Sequence, residues 1–218
     1  QTTTAKNSLR AFDASTGKLL WEINGLDVDG PRHKPDLFFL GAPVVQDEQL
    51  LILADRQQEF VLLIIEASTG NPLAEIPLCS SRHALAIMPS RARMACPLTI
   101  HGGIAYCPTQ LGRLIAVDPV NRKILWDFQY KQDASNTNTQ VSRYRPTIAQ
   151  PLEPVSAVVA SGRYLLLSPS DAKKVFCLNR SEQGKLVWEV PNPDDSRLQC
   201  VKDDKVILIG RTSFALSV

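Results

Sequence analysis

The sequence predicts an all-β protein built from repeated four-stranded antiparallel sheets, and three observations predict it. Four hairpin-like segments line up along the chain in one register. Their second strands carry an anchor at Trp21, Ala74, Trp126 and Trp188, spaced by 52 to 62 residues. A further strand–turn–strand unit precedes three of the four hairpins and also follows the last. A fixed period of this kind is the mark of a repeat architecture and has to be read before any single motif.

The first hairpin is LRAFDASTGKLLWEI, and the second is LLIIEASTGNPLAEI. The third is LIAVDPVNRKILWDF and the fourth VFCLNRSEQGKLVWEV. In each, an apolar strand ends on Asp13, Glu66, Asp118 or Asn179. Short acidic or amide side chains at that place accept hydrogen bonds from turn amides. Gly17, Gly70 and Gly184 follow, and glycine takes the positive φ that a tight hairpin needs. The third turn has Asn121-Arg122 instead, where Asn121 is expected to take the left-handed conformation. Trp21, Trp126 and Trp188 then bring a large apolar ring to the next strand, where one sheet can stack on its neighbour.

The upstream units are APVVQDEQLLILAD, CPLTIHGGIAYCPT, VSAVVASGRYLLLS and LQCVKDDKVILIG. Runs of Val, Ile and Leu bounded by Asp and Gly are the strand signal. Each full unit is therefore a meander of strands A to D. The expected boundaries are a C–D half-blade over 8–25, blades over about 42–78, 95–130 and 154–191, and a partial blade over 198–218. The architecture is a β-propeller of four-stranded antiparallel blades.

The D-A-S-T-G-K turn followed by L-L-W resembles the repeat of the PQQ-like (quinoprotein-like) propeller family, and the resemblance covers almost the whole chain. That family includes quinoprotein alcohol dehydrogenases and non-catalytic propellers of the outer-membrane assembly lipoprotein type. The resemblance implies seven or eight blades in a complete ring, so the chain is read as a segment of a larger propeller. Gln1 in place of a starting Met agrees with a processed or excised piece. The departures are Ala74 for Trp, Asn121-Arg122 for Thr-Gly, and a fourth turn longer by one residue.

Composition narrows the functions. The 218 residues carry a formal charge of +2, too little to argue for nucleic acid. No apolar run approaches the roughly 18–20 residues needed to span a bilayer. The excess length over a blade of about 40–50 residues falls in Val28–Gly41, Pro77–Ala95 and Gln129–Pro154. Each joins a D strand to the next A strand, so all three emerge on one face of the disc. Basic residues exceed acidic ones there by four. The candidate partner-binding residues are Arg32, His33, Arg82, His83, Arg91, Arg93, Tyr130, Arg143, Tyr144 and Arg145. Arginines with interleaved aromatics suit protein partners or anionic ligands. Phe38 and Phe39 can instead plug an inter-blade groove.

Five cysteines show no CxxC pair, which sets aside zinc-ribbon and thioredoxin-like readings. A two-residue turn at His101-Gly102 would place Cys96 opposite Cys107, within reach of a disulfide, and a bridge would favour an extracytoplasmic compartment. His33, His83 and His101 lack metal-ligand spacing. The expected function is a non-catalytic binding scaffold in the periplasm or cell envelope, with no cofactor and protein partners unknown. The alternative implied by the resemblance is a quinoprotein dehydrogenase domain binding PQQ and calcium, for which no adjacent cysteine pair and no acidic cluster is found. Glycan binding through Trp platforms is a third reading. Burial of the three indoles would disfavour it.

Overall fold

The structure, a computed structural model, describes residues 7–24, 37–82, 95–133, 157–192, 196–203, 205–209 and 214–217. Its strands form five antiparallel sheets in chain order. The first is a pair, β1 (Ser8–Phe12) with β2 (Leu19–Asn24). The second holds β3 (Leu37–Phe39), β4 (Val44–Gln46), β5 (Gln49–Arg56), β6 (Glu59–Glu66) and β7 (Pro72–Ser80). The third holds β8 (Thr99–His101), β9 (Ile104–Pro108), β10 (Arg113–Asp118) and β11 (Lys123–Gln129). The fourth holds β12 (Ala157–Ser161), β13 (Tyr164–Ser168), β14 (Lys174–Asn179) and β15 (Lys185–Pro191). The fifth holds β16 (Arg197–Lys202), β17 (Lys205–Ile209) and β18 (Phe214–Ser217). Among the described residues no helix is long and apolar enough to cross a membrane.

The second sheet starts earlier than expected. Leu37–Phe39, placed by the sequence reading in an insertion, pairs with Arg56–Ala54 of β5. Its A strand is in two pieces, because Gly41 and Pro43 interrupt the ladder. Gly41 sits where a Cβ would lie 2.7 Å from the Cys96 carbonyl oxygen, so only glycine lets the third blade approach there.

Both faces of the central strands are buried, and side chains divide by parity. Leu51, Leu53, Leu62 and Ile64 join Cys107, Ile115 and Val117 in the core between blades two and three. Ile52, Ala54, Val61, Leu63 and Ile65 turn the other way and meet Trp21 and Ile23 of the half-blade. Phe38 and Phe39 separate by the same rule into these two cores. Each core lies between sheets, so no blade completes its packing alone. The A strands meet at the inner side, β4 with β8, β8 with β12 and β12 with β16. There Thr99 Oγ1 donates to the Val158 carbonyl at 2.7 Å.

All four hairpins share one irregularity. The register shifts after Ala11, Ile64, Ala116 and Cys177, the residues opposite Trp21, Ala74, Trp126 and Trp188. Leu20, Leu73, Leu125 and Val187 are left unpaired in these ladders and exposed, as in a bulge.

The anchor residue then reaches the next blade. Trp21 Nε1 donates to the Ala67 carbonyl at 3.0 Å, in the C–D turn of blade two. Its ring covers Gly70, where a Cβ would fall 2.6 Å from the indole. Trp126 covers Gly184 of blade four at the same 2.6 Å. At the junction between blades two and three both halves of this lock change together. Ala74 stands for Trp, and Arg122 stands for Gly at φ 55°. Arg122, not the expected Asn121, takes the left-handed conformation, and its guanidinium approaches the Leu73 carbonyl at 3.5 Å. A side chain is allowed at that turn position because no indole lies over it.

The pair Ala74→Trp and Arg122→Gly should therefore be coupled. Ala74→Trp alone is expected to destabilise, because the ring meets the Arg122 side chain. Denaturant unfolding of the double variant should show about 1–2 kcal/mol of favourable coupling beyond the single effects. Additivity would show that the two positions do not share one packing site.

Candidate functional site

The D–A connections and the B–C turns share one face. At the junction of blades three and four their roots close on Asp171, which is 2% exposed. Gly112 N donates to Asp171 Oδ2 at 2.9 Å, and Gln132 Nε2 to the same oxygen at 2.8 Å. The Tyr130 hydroxyl donates to Oδ1 at 2.7 Å. Asp133 N donates to the Asp171 carbonyl, and Lys173 N to Asp133 Oδ2. A buried carboxylate persists when such donors replace its water.

Backbone geometry builds this clasp. Tyr130 N donates to the Gly112 carbonyl at 2.9 Å. Gly112 has φ 71°, and a Cβ there would lie 2.7 Å from the Tyr130 carbonyl oxygen. Glycine is thus required for conformation and for space. The Tyr130 ring packs on Phe176 with centroids 5.2 Å apart, and Phe128 meets Phe176 edge-on at 5.6 Å. Burial, then the negative charge of Asp171, push the Tyr130 hydroxyl well above its ordinary range. It remains a donor. Next to it, Asn192 is buried and bonds to Ser168, Ser196 and the Lys173 carbonyl.

Tyr130, expected as a partner-facing aromatic, thus spends its hydroxyl inside the clasp. Arg82 lies exposed just beyond the end of β7. Arg32, His33, His83, Arg91, Arg93, Arg143, Tyr144 and Arg145 lie outside the described residues. Asp171, Gly112 and Gln132 had no marker in the sequence. SPSDAKK reads as an ordinary polar turn, and the contacts to Asp171 span 39 to 59 positions.

The carboxylates of the opposite face are used within their own turns. Asp13 accepts from the amides and hydroxyls of Ser15 and Thr16 at 2.6–3.0 Å. The two hydroxyls first, and then the amides, hold it down to about 2. Asp118 accepts from Val120 N, Asn121 N and Asn121 Nδ2 and is likewise lowered, chiefly by Asn121. Glu66 accepts from the Thr69 hydroxyl. No three His, Cys, Asp or Glu side chains among the described residues are placed to hold a metal ion.

The expected Cys96–Cys107 bridge is corrected: neither residue is in a disulfide, and both are buried thiols. The turn falls on Gly102-Gly103, both at positive φ, and not on His101-Gly102. His101 pairs with Ile104 and Thr99 with Tyr106. That register sets Leu98, not Cys96, level with Cys107. The bridge argument for an oxidising compartment goes with it. Burial raises the Cys107 thiol above its ordinary range and pushes Cys177 up to about 11.

The indoles pack between blades. Trp21 is 3% exposed, and Trp126 and Trp188 are partly buried against the cores on their side. Trp126 meets Tyr106 at 5.9 Å with the rings tilted by 44°.

Radial sheets, converging A strands and inter-blade indole packing define a β-propeller. The chain belongs to the family described as Outer membrane protein assembly factor BamB, whose model matches residues 5–150. The PQQ-like resemblance and the fold class read from the sequence are thereby borne out. BamB from Moraxella catarrhalis is similar in structure, with TM-score 0.59 and 11% identity over 98% of this chain and 55% of that one. The computationally designed Ika8 protein matches with TM-score 0.58 and 12% identity over 96% of this chain and 52% of its own. The designed Ika4 protein matches with TM-score 0.51 and 10% identity over 83% of this chain and 91% of its own. This chain thus spans about half the length of the first two structures. No curated protein sequence matches it.

Two outcomes are expected from this site. Asp171→Ala should lower unfolding stability by about 3 kcal/mol, because it strands several buried donors; chemical denaturation measures it. In native protein, a thiol reagent should modify exposed Cys200 first and Cys107 only on unfolding. Peptide mapping by mass spectrometry at successive times distinguishes them.

Proposed function

We propose that this chain is a non-catalytic propeller scaffold of the cell envelope that holds a protein partner on the face bearing its D–A insertions. The observation that carries the reading is the arrangement of that face. Three long connections leave it, between β2 and β3, β7 and β8, and β11 and β12; the second and third are net basic, and the three together carry a net charge of +3. At the third, the root is fixed by the Asp171 clasp, so the insertion starts from a rigid base. Binding residues carried on loops above a rigid scaffold are the common arrangement for recognition. Family membership supports the same reading, since the family is described as an assembly factor for outer-membrane proteins. An extracytoplasmic, outer-membrane-associated site follows as part of this proposal.

The dehydrogenase reading has less support. The acidic residues that recur with the repeat are spent in turns on the opposite face, as the Asp13 and Asp118 hydrogen bonds show.

The test is capture from a solubilised envelope fraction with the wild-type chain and a variant carrying Arg82→Glu, Arg91→Glu and Arg93→Glu. The variant should recover at least tenfold less of the partner, since rim charges mainly govern encounter and specificity. Equal recovery by both would remove the loop face from the account.

A further inference from the structure

The junction of blades two and three carries a cleft of about 410 Å³. Gln46, Asp47, Glu48 and Gln49 line it from the A–B turn of blade two, and Pro119 and Val120 from the C–D turn of blade three. Among the described residues the carboxylates of Asp47 and Glu48 have no hydrogen bond and no ion pair. Val44 packs into the core of this junction. Gln46 lies two positions further along β4 and so faces the same way. Its Oε1 is buried and has no hydrogen-bond partner among the described residues, a costly condition for a carbonyl oxygen. Val120 is 78% exposed and sets an apolar surface beside these acceptors. No basic side chain lines the cleft. Arg122, in the same turn as Pro119, sends its guanidinium to the Leu73 carbonyl instead.

The next junction shows what occupies the matching place. Asp118 and Asn179 end their C strands and accept from the amides two positions on, Val120 N and Ser181 N. Pro119 and Arg180 therefore correspond. The A–B turns correspond as well, since Gln46 pairs with Gln49 and His101 with Ile104. Asp47 thus stands where blade three has Gly102, at φ 54° against 59°. Arg180 reaches across its junction. Its Nε donates to the Gly162 carbonyl at 2.6 Å, and its Nη1 lies 3.4 Å from a Cβ built on Gly102. A guanidinium therefore stands beside the A–B turn at the junction of blades three and four. At the junction of blades two and three proline replaces that arginine, and an aspartate replaces the glycine it touches.

We propose that the cleft between blades two and three binds the guanidinium of an arginine side chain carried by a partner peptide. The acceptors are Gln46 Oε1 and the carboxylates of Asp47 and Glu48, and the planar fork of a guanidinium donates to several such oxygens at once. Hydrogen bonds between ionised partners are the strong ones. The aliphatic stem of the side chain rests against Val120. A free amino acid is a poorer occupant, because its own carboxylate would meet two like charges and no cation among the lining residues. The cleft opens on the face of the A–B and C–D turns, opposite the insertions, so it stands apart from the reading of the insertion face.

Isothermal titration of the full chain at low salt tests this, with acetyl-arginine methylamide as the probe. Binding should saturate and weaken as salt is raised. Acetyl-citrulline methylamide keeps the shape and loses the charge, and free arginine adds a carboxylate; each should bind at least about tenfold more weakly. Asp47→Gly copies Gly102 at the same φ, and combined with Glu48→Gln it should cost at least about tenfold in affinity while circular dichroism stays unchanged. Pro119→Arg copies Arg180, fills the cleft from within and should abolish binding. Absence of saturable binding, equal binding of the citrulline probe, or a folded Asp47→Gly, Glu48→Gln variant of unchanged affinity would overturn the proposal. Free arginine binding as tightly as the blocked form would overturn its assignment to a peptide.

Discussion

The contact of an indole with a bare backbone turn governs how the blades stand against one another. A four-stranded sheet with both faces apolar cannot exist in water without neighbours, and the neighbours must come at a fixed angle and height. The bulge opposite Ala11, Ala116 and Cys177 marks where the D strand delivers its ring toward the next blade. Glycine in the facing turn lets the ring lie on the main chain itself. Area burial drives the association of sheets, but this single contact sets its register. The junction of Ala74 with Arg122 shows the same constraint met by a smaller residue on one side and a larger one on the other.

The rest of the molecule is arranged around that stack. Core residues alternate between two interfaces within one strand, so a substitution in β5 or β6 is felt in one junction and not the other. On the insertion face the junction of blades three and four is finished by polar groups set beside the Tyr130, Phe128 and Phe176 rings. A buried carboxylate with donors from Gly112, Tyr130 and Gln132 is directional in a way that Leu–Leu packing is not. It fixes where the third insertion begins, and the proposed binding role rests on that fixity.

Much of the fold was legible because its determinants are local. Asp13, Thr16 and Gly17 form a turn from neighbours in sequence, and Trp21 follows at a constant offset. The strand pairs of blades three and four follow from their alternation and bounding turns. The beginning of the second blade was not legible, because Leu37–Phe39 is cut off from Val44 by Gly41 and Pro43 and resembles loop. The disulfide expectation failed on a slip of one position in a turn. His101-Gly102 and Gly102-Gly103 are both reasonable pairs, but a turn with two positive φ values favours two glycines, and the slip moves Cys107 past Cys96. Asp171 was invisible for another reason. Its partners come from two loops and another blade, and no spacing rule connects them.

The bulged D strands have an effect on the molecule's outer rim. Lys18, Lys123 and Lys185 each precede an exposed aliphatic pair, Leu19-Leu20, Ile124-Leu125 and Leu186-Val187. A straight strand with such a sequence would be a template for zipping to any other strand. The kink breaks the row of free amides and carbonyls, and the ammonium group beside it repels a like edge. The same distortion that seats the rings thus guards the circumference against fibrous stacking.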